Sequence, residues 1–188
     1  MKAVLASGNE HKLHELRYAL PDWELELLDA EAYPPEDGAT YYENAIGKAR
    51  HGRTLTGGWV LGEDSGIEVA ALGGRPGIES ARWADDPIAA LLAELDGVEN
   101  RRARYVCELV ALGPEGEHRG TGVLEGTVAT EPRGSEGFGY DPIFVPAGET
   151  RTVAELGNAW KREHSHRARA ARALYASPAG GSSTGSRP

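Results

Sequence analysis

The sequence predicts a mixed α/β domain built on a long β-sheet. Three observations predict it. An apolar run near the N-terminus, Lys2 to Ala6, passes through a short polar turn into a stretch of helical periodicity. Strand-like and helix-like patterns then alternate along the chain, as they do in α/β folds. In the second half, two long strand-like stretches, Arg101 to Leu112 and His118 to Thr130, flank Gly113-Pro114-Glu115-Gly116, which reads as a hairpin turn. A hairpin brings antiparallel pairing, so the sheet is expected to be mixed rather than purely parallel.

Taken in order, Ser7-Gly8 supplies the tight turn after the first strand, and Asn9 is a helix N-cap. Leu13, Leu16 and Leu20 then share one helical face until Pro21-Asp22 stops the helix. Free N–H groups at a helix start favour anions, and Lys12 in the first turn adds a full positive charge. The turn is not a Walker sequence, and many similar turns carry no ligand. Trp23 to Leu28 alternates as a second strand, and Ala30 to Gly38, with Pro34-Pro35, is a loop. Thr40 caps the next helix with Glu43 as its capping-box partner. That helix runs through Ala45, Ile46, Ala49 and His51 towards Gly57-Gly58. On the residues alone, Glu43 reads as a cap and dipole partner ahead of a metal ligand, and Lys48 and Arg50 read as solvated.

The chain is organised around the stretch that follows, Gly62-Glu63-Asp64-Ser65-Gly66. It separates Trp59-Val60-Leu61 from the alternating Ile67-Glu68-Val69-Ala70, so two carboxylates and a hydroxyl are expected at a sheet edge between two strand-like segments. Consecutive residues of extended chain point to opposite faces. Glu63 and Asp64 should therefore meet different surroundings, one able to hold a metal while the other packs or supports it. The competing reading is an acidic β-turn.

Leu72 to Ile78, rich in glycine, is a shaped loop, and Asp86-Pro87 opens a helix carrying Ile88, Leu91, Leu92 and Leu95. After the hairpin comes a second glycine-rich stretch, Gly134 to Pro142. Its Phe138, flanked by glycines, is either a displayed stacking surface or a turn aromatic closing over the core. Ile143-Phe144-Val145 is a short strand, and Thr152 or Glu155 opens a brief helix. Lys161, Arg162, Arg167, Arg169 and Arg172 form the densest basic region, leading into a last helix with Ala168, Ala171, Leu174 and Tyr175. A basic helix start is ordinarily a solvated face. In so acidic a chain it is also the natural home for a polyphosphate.

The 188 residues, 40% apolar and 26% charged, suit one domain over residues 1–176, with a flexible tail over 177–188. A net charge of −9 argues against a nucleic-acid or membrane-surface partner. An acidic protein that handles phosphates must concentrate its positive charge locally or recruit a divalent cation. The single cysteine, Cys107, excludes an internal disulfide and fits a reducing cytosol, so a cytoplasmic location is expected. No apolar run approaches the ~20 residues of a membrane span, and Ala3 to Ala6 is too short for a signal peptide.

From Lys2 to about Ala176 the motifs fall in the order of a known family: Ser7-Gly8-Asn9 with Lys12, Glu43-Asn44-Ala45 with Lys48-Ala49, Asp64-Ser65-Gly66, Leu72-Gly73-Gly74 with Pro76-Gly77, Phe138-Gly139-Tyr140-Asp141-Pro142, and Ser165-His166-Arg167. The chain resembles the inosine triphosphate pyrophosphatase family. The resemblance implies a long mixed sheet with helices against it, forming two lobes around a nucleotide cleft, and a homodimer. It implies an enzyme that splits ITP, dITP and XTP into the monophosphate and pyrophosphate. By the same resemblance Ser7, Gly8, Asn9, Glu10, His11 and Lys12 cradle the triphosphate, and Glu43 with Asp64 holds Mg²⁺. Asp64 is also the candidate base for the attacking water, and Ser65 touches the nucleotide. Phe138, Gly139, Tyr140 and Asp141, with Lys161, His166 and Arg167, close around base, sugar and phosphate. One departure stands out: where the family has two aspartates before the serine, the first here is Glu63. A nucleotide sensor without catalysis, or a pyrophosphatase for pyrimidine triphosphates, are the alternative readings.

Overall fold

A computed structural model describes residues 1–176, and the expected tail at 177–188 lies outside the described residues. The first strand, β1 (Lys2–Leu5), runs into helix α1 (Glu10–Ala19) through the turn that Asn9 caps, its Oδ1 accepting from the N–H groups of His11 and Lys12. Strand β2 (Glu24–Leu27) follows, then helix α2 (Tyr41–Thr56) and strand β3 (Trp59–Val69). Two 3₁₀ turns, Ala70–Leu72 and Gly77–Arg82, precede helix α3 (Pro87–Glu94). The hairpin β4 (Arg102–Gly113) and β5 (Gly116–Val128) comes next, then β6 (Phe144–Pro146), α4 (Val153–His164) and α5 (His166–Ala176).

The six strands make one mixed sheet in the order β2-β1-β3-β4-β5-β6. β1 pairs in parallel with β2 and β3, and the remaining ladders are antiparallel. The register explains the cleft. β1 meets β3 only from Ala3 opposite Trp59 to Leu5 opposite Leu61, whereas β4 follows β3 from Val60 to Val69. Beyond Leu61, the side of β3 facing away from β4 is therefore left to loops, Glu68 bridging Pro76 there.

Side chains on the two faces of the sheet build separate cores. On one face Leu61, Cys107 and Leu109 pack against Leu13, Leu16 and Leu20 of α1 and against Ala170, Ala171 and Leu174 of α5. Val60 and Val110 on the other face meet Ala45, Ile46 and Ala49 of α2. A third cluster, at the far end of β3 and β4, joins Ile67, Val69 and Tyr105 to Leu91, Leu95, Phe144 and Val153. The first two clusters, on opposite faces of the same part of the sheet, make one lobe and the third makes the other, with the middle of β3 between them.

Three details differ from expectation. Glu63 and Asp64 do not mark a break between strands at a sheet edge: they sit inside one continuous strand, third of six. Glycine makes this possible by close approach. A Cβ at Gly62 would lie 1.9 Å from the Ala45 carbonyl oxygen of α2, and one at Gly66 would lie 2.1 Å from the Gly77 carbonyl oxygen. Thr40 caps α2 as expected, its Oγ1 accepting from the Glu43 N–H, but the reciprocal half of the capping box is displaced by one residue, the Glu43 carboxylate accepting from the Ala39 N–H rather than from that of Thr40. The helix after Thr152 is longer than expected, with a true capping box between Thr152 and Glu155 and a kink at Gly157. Among the described residues no helix is long and apolar enough to cross a membrane.

Substituting Gly62→Ala should cost ~1–3 kcal/mol of stability, because α2 must lift off the strand. Urea unfolding measures this, and an unchanged midpoint would show that α2 yields without strain.

Candidate active site

Alternation along β3 sends its two central carboxylates apart. Glu63, fully buried, points to the α1/α5 face. Its Oε1 accepts from Arg167 Nε at 3.0 Å and Nη2 at 2.9 Å, and its Oε2 pairs with Lys12 Nζ at 2.6 Å. Burial pushes its carboxyl upward, but Arg167, Lys12 and Lys48 outweigh burial and hold it well below the usual carboxylate range. Asp64, 3% exposed, points to the α2 face, where Oδ2 accepts from Asn44 Nδ2 at 2.9 Å and Oδ1 lies 3.7 Å from Lys48 Nζ. Burial raises its carboxyl, with Lys48 and the Asn44 hydrogen bond opposing. The same dipeptide thus holds one permanently ionised anchor and one carboxylate with a greater affinity for protons.

The charge at Glu63 continues as a chain of buried pairs. Arg167 Nη1 donates to Glu15 Oε2 at 2.7 Å, and its Nη2 donates to Ser65 Oγ at 2.9 Å. Glu15 Oε1 pairs with Lys161 Nζ at 2.6 Å, and the same ammonium lies 2.6 Å from Asp141 Oδ2. Burial pushes Glu15 up, yet Arg167 and Lys161 bring it down to about 2. Asp141 also accepts from the Phe138 N–H at 2.9 Å, which folds the glycine-rich loop onto this network.

Asn9, Lys12, Ser65, Phe138, Gly139, Tyr140, Asp141, Lys161, His166 and Arg167 line one cavity of about 210 Å³, together with Tyr105 and Ser80. Whole-ligand pockets usually hold ~300 Å³ or more, so this cavity is smaller than a typical whole-ligand site. His166 stacks on Tyr105 with ring centroids 4.6 Å apart. Its Nδ1 is buried with no partner among the described residues. Burial, reinforced by Arg167, lowers its pKa to about 3, so the ring is neutral near pH 7. Phe138 is half-buried beneath cations, with Lys161 Nζ 4.5 Å and Arg167 Cζ 5.5 Å from its centroid, and His11 stacks on it at 5.2 Å. This is the displayed aromatic of the two readings.

Ser7, Gly8, Glu10, His11, Glu43 and Asp64 lie outside that cavity lining. Ser7 Oγ accepts from the Asn9 N–H at 3.1 Å, bracing the turn. Asn9 uses the N–H groups of His11 and Lys12, so the anion-binding capacity of the turn rests on Lys12 and the remaining backbone donors. Glu10 is exposed in the first turn of α1. Glu43 is exposed in the first turn of α2, its Oε2 on the Ala39 N–H at 2.6 Å.

Several charged residues carry more than their sequence context suggested. Lys48 is buried rather than solvated: besides Asp64, it donates to the Glu63 carbonyl at 3.0 Å and pairs with Glu36. Burial lowers its pKa, but Asp64, Glu63 and Glu36 more than reverse this. The signal was present, since Asn44 and Lys48 share the small-residue face of Ala45, Ala49 and Gly52. Glu15 gave less warning, although it follows Lys12 by one helical turn.

Fold and site together define an α/β protein with a cation-ringed anion cleft centred on one strand. Residues 3–177 match the Ham1 family. The dITP/XTP pyrophosphatase of Deinococcus deserti is 45% identical over 184 residues, covering 93% of this chain and 88% of that protein. That of Symbiobacterium thermophilum is 47% identical over 189 residues, covering 95% of each. The solved Ham1 protein of Staphylococcus aureus superposes with a TM-score of 0.83 at 35% identity, covering 94% of this chain and 97% of that one. The chain belongs to the Ham1 family.

His166 makes acid stability a readout of this site. Its pKa is depressed on folding, so its contribution is intact above the unfolded value of ~6.5 and is lost as pH falls towards about 3. At pH 5 the loss should reach about 2 kcal/mol. Urea unfolding at pH 7 and pH 5 should show a smaller pH effect in His166→Gln than in the unmodified protein. Equal pH effects would mean that the ring is protonated in the folded state.

Proposed function

We propose that this protein hydrolyses non-canonical purine nucleoside triphosphates, ITP, dITP and XTP, to the monophosphate and pyrophosphate, a reading supported by its similarity to dITP/XTP pyrophosphatases, with ITP as the ribose counterpart of dITP. The observation that carries the reading is the division of β3: Glu63 gathers cations on one face, and Asp64 is left on the other beside Lys48.

Cleaving between the α and β phosphorus atoms develops charge on both products, and positioned cations stabilise it. Lys12, at the turn, and Lys48, beside Asp64, are the side chains placed to do so along the cleft. The nucleoside end suits the cavity under Phe138. Lys161 and Arg167 carry hydrogen-bond donors there, and the neutral His166 has an unpaired ring nitrogen. Donors facing position 6 of the base would accept the oxygen of hypoxanthine or xanthine and leave the amino group of adenine mismatched. A buried mismatch of this kind is worth ~10⁴-fold or more. Guanine, with the same oxygen, is the harder competitor.

A divalent cation fits the α2 face. Asp64 supplies a hard oxygen donor there, with Glu43 of the α2 first turn as the second expected ligand, and among the described residues Asp64 Oδ1 has no hydrogen-bond donor closer than Lys48 at 3.7 Å. Among the described residues no three acidic, histidine or cysteine side chains form a ready metal cluster. That suits Mg²⁺, which usually takes one or two carboxylates, keeps waters and shares substrate phosphates. Mg²⁺ held by Glu43 and Asp64 would neutralise phosphate charge. Asp64, with its raised proton affinity, is the group placed to take a proton from the attacking water. A homodimer and a cytoplasmic location belong to the same proposal, supported by the family resemblance and the single buried cysteine.

Pyrophosphate release should be fast from ITP and XTP, slow from GTP and ATP, and abolished by a chelator. Asp64→Asn should lower turnover ~10²–10⁴-fold while the protein stays folded. Normal turnover in that variant would remove Asp64 from the chemistry, and release from dTTP in place of ITP would overturn the choice of base.

A further inference from the structure

We propose that His11 is a positioning residue for base recognition, which stacks on the back of Phe138 and holds that ring against the nucleoside cavity. The inference rests on the triphosphatase reading above, and it sets His11 apart from the phosphate-binding residues of its own turn. His11 is the second residue of α1, whose Leu13, Leu16 and Leu20 belong to one lobe. Phe138 belongs to the glycine-rich loop that runs into Tyr140 and Ile143 of the other lobe. The two rings lie 20° from parallel with centroids 5.2 Å apart, within the range of offset-stacked aromatic pairs. Their contact therefore joins the lobes at the cleft.

Phe138 stands as a wall between two cavities. The nucleoside cavity on one side is lined by Lys161, His166 and Arg167, and His11 is not part of it. A second cavity, of about 400 Å³, is lined by His11, His14, Glu136 and Asn158. Phe138 lines both. The ring thus meets cations from the nucleoside side, Lys161 Nζ at 4.5 Å and Arg167 Cζ at 5.5 Å from its centroid, and imidazole from the other.

The loop itself gives the ring little bracing. Gly137 and Gly139 flank it without side chains, at φ of +80° and +59°. The Phe138 N–H donates to Asp141 Oδ2 at 2.9 Å, which fixes the backbone but leaves the side chain its choice of rotamers. The second cavity offers room for the ring to turn away from the base, and His11 stands across that path. A base that stacks on Phe138 binds better when the ring is already ordered, because the ordering cost no longer falls on binding. Neither part of His11 is turned to phosphate. Its backbone N–H is taken by Asn9 Oδ1 at 2.9 Å, and its ring lies on Phe138.

The test compares two ligands by calorimetry on the full chain with Mg²⁺. One is the α,β-methylene analogue of ITP, which carries a base, and the other is inorganic tripolyphosphate, which carries none. His11→Ala should weaken analogue binding about three- to tenfold and change tripolyphosphate binding less than about twofold. His11→Phe, which keeps a flat ring, should restore the analogue to within about twofold. In a Phe138→Leu background, His11→Ala should cost less than about twofold, because it acts through the ring that is missing. Equal losses for the two ligands would make His11 a phosphate contact and overturn the proposal. A loss that His11→Phe does not repair, or one of the same size in the Phe138→Leu background, would also overturn it. So would unchanged or tighter analogue binding in His11→Ala, the latter placing the imidazole where the base stacks. An unmodified protein that does not bind the analogue at all would overturn the triphosphatase reading itself, and this role of His11 with it.

Discussion

Two neighbouring residues of a β-strand cannot face the same way, and the site of this protein is built on that constraint. Glu63 and Asp64 are both buried, so each needs compensation on its own side of the sheet. Glu63 draws Lys12 from α1 and Arg167 from α5, whereas Asp64 draws Asn44 and Lys48 from α2. The cations that a triphosphate needs are thereby held in the cleft by the protein's own acids. β1 follows β3 only as far as Leu61, short of both carboxylates.

The buried network also ties distant parts of the chain together. Arg167 bonds Glu15 across 152 positions and Glu63 across 104. Removing one partner of a buried pair commonly costs ~3–5 kcal/mol, since the other charge is left uncompensated. Such pairs add little stability over apolar packing but strongly penalise any arrangement in which the helices shift. They fix where α1, α4 and α5 stand relative to β3, and so the distances between the groups that meet a ligand. Cys107 belongs to the same surroundings, its Sγ 3.6 Å from Glu63 Oε1, and burial pushes its thiol well up, away from a nucleophilic role.

Features governed by local chemistry were legible in the sequence. The Asn9 cap, the Thr40 cap, the Asp86-Pro87 helix start and the long hairpin follow from short-range rules, and all appear. The opposite orientation of Glu63 and Asp64 followed from the period of a strand. Its setting did not: two glycines in five residues suggested a break, whereas they serve close approach by α2 and by the turn after Pro76. Lys48 was misjudged for a related reason, because whether a helical lysine is solvated depends on what packs over it. Glu36 was invisible, since nothing in an acidic loop reveals which cations it will meet. The role of Glu63, uncertain as a substitution in a motif, became readable only when its partners lay elsewhere on the chain.

The division of labour along β3 is tested most directly by locating the metal. Crystals of the Asp64-intact protein with the α,β-methylene analogue of ITP and Mn²⁺ in place of Mg²⁺ would give an anomalous signal at the ion. The account predicts that signal on the α2 face, within ~2.2 Å of Asp64 oxygen, with Glu63 still paired to Arg167. A manganese ion bound directly to Glu63, with Lys12 and Arg167 displaced from it, would contradict the account.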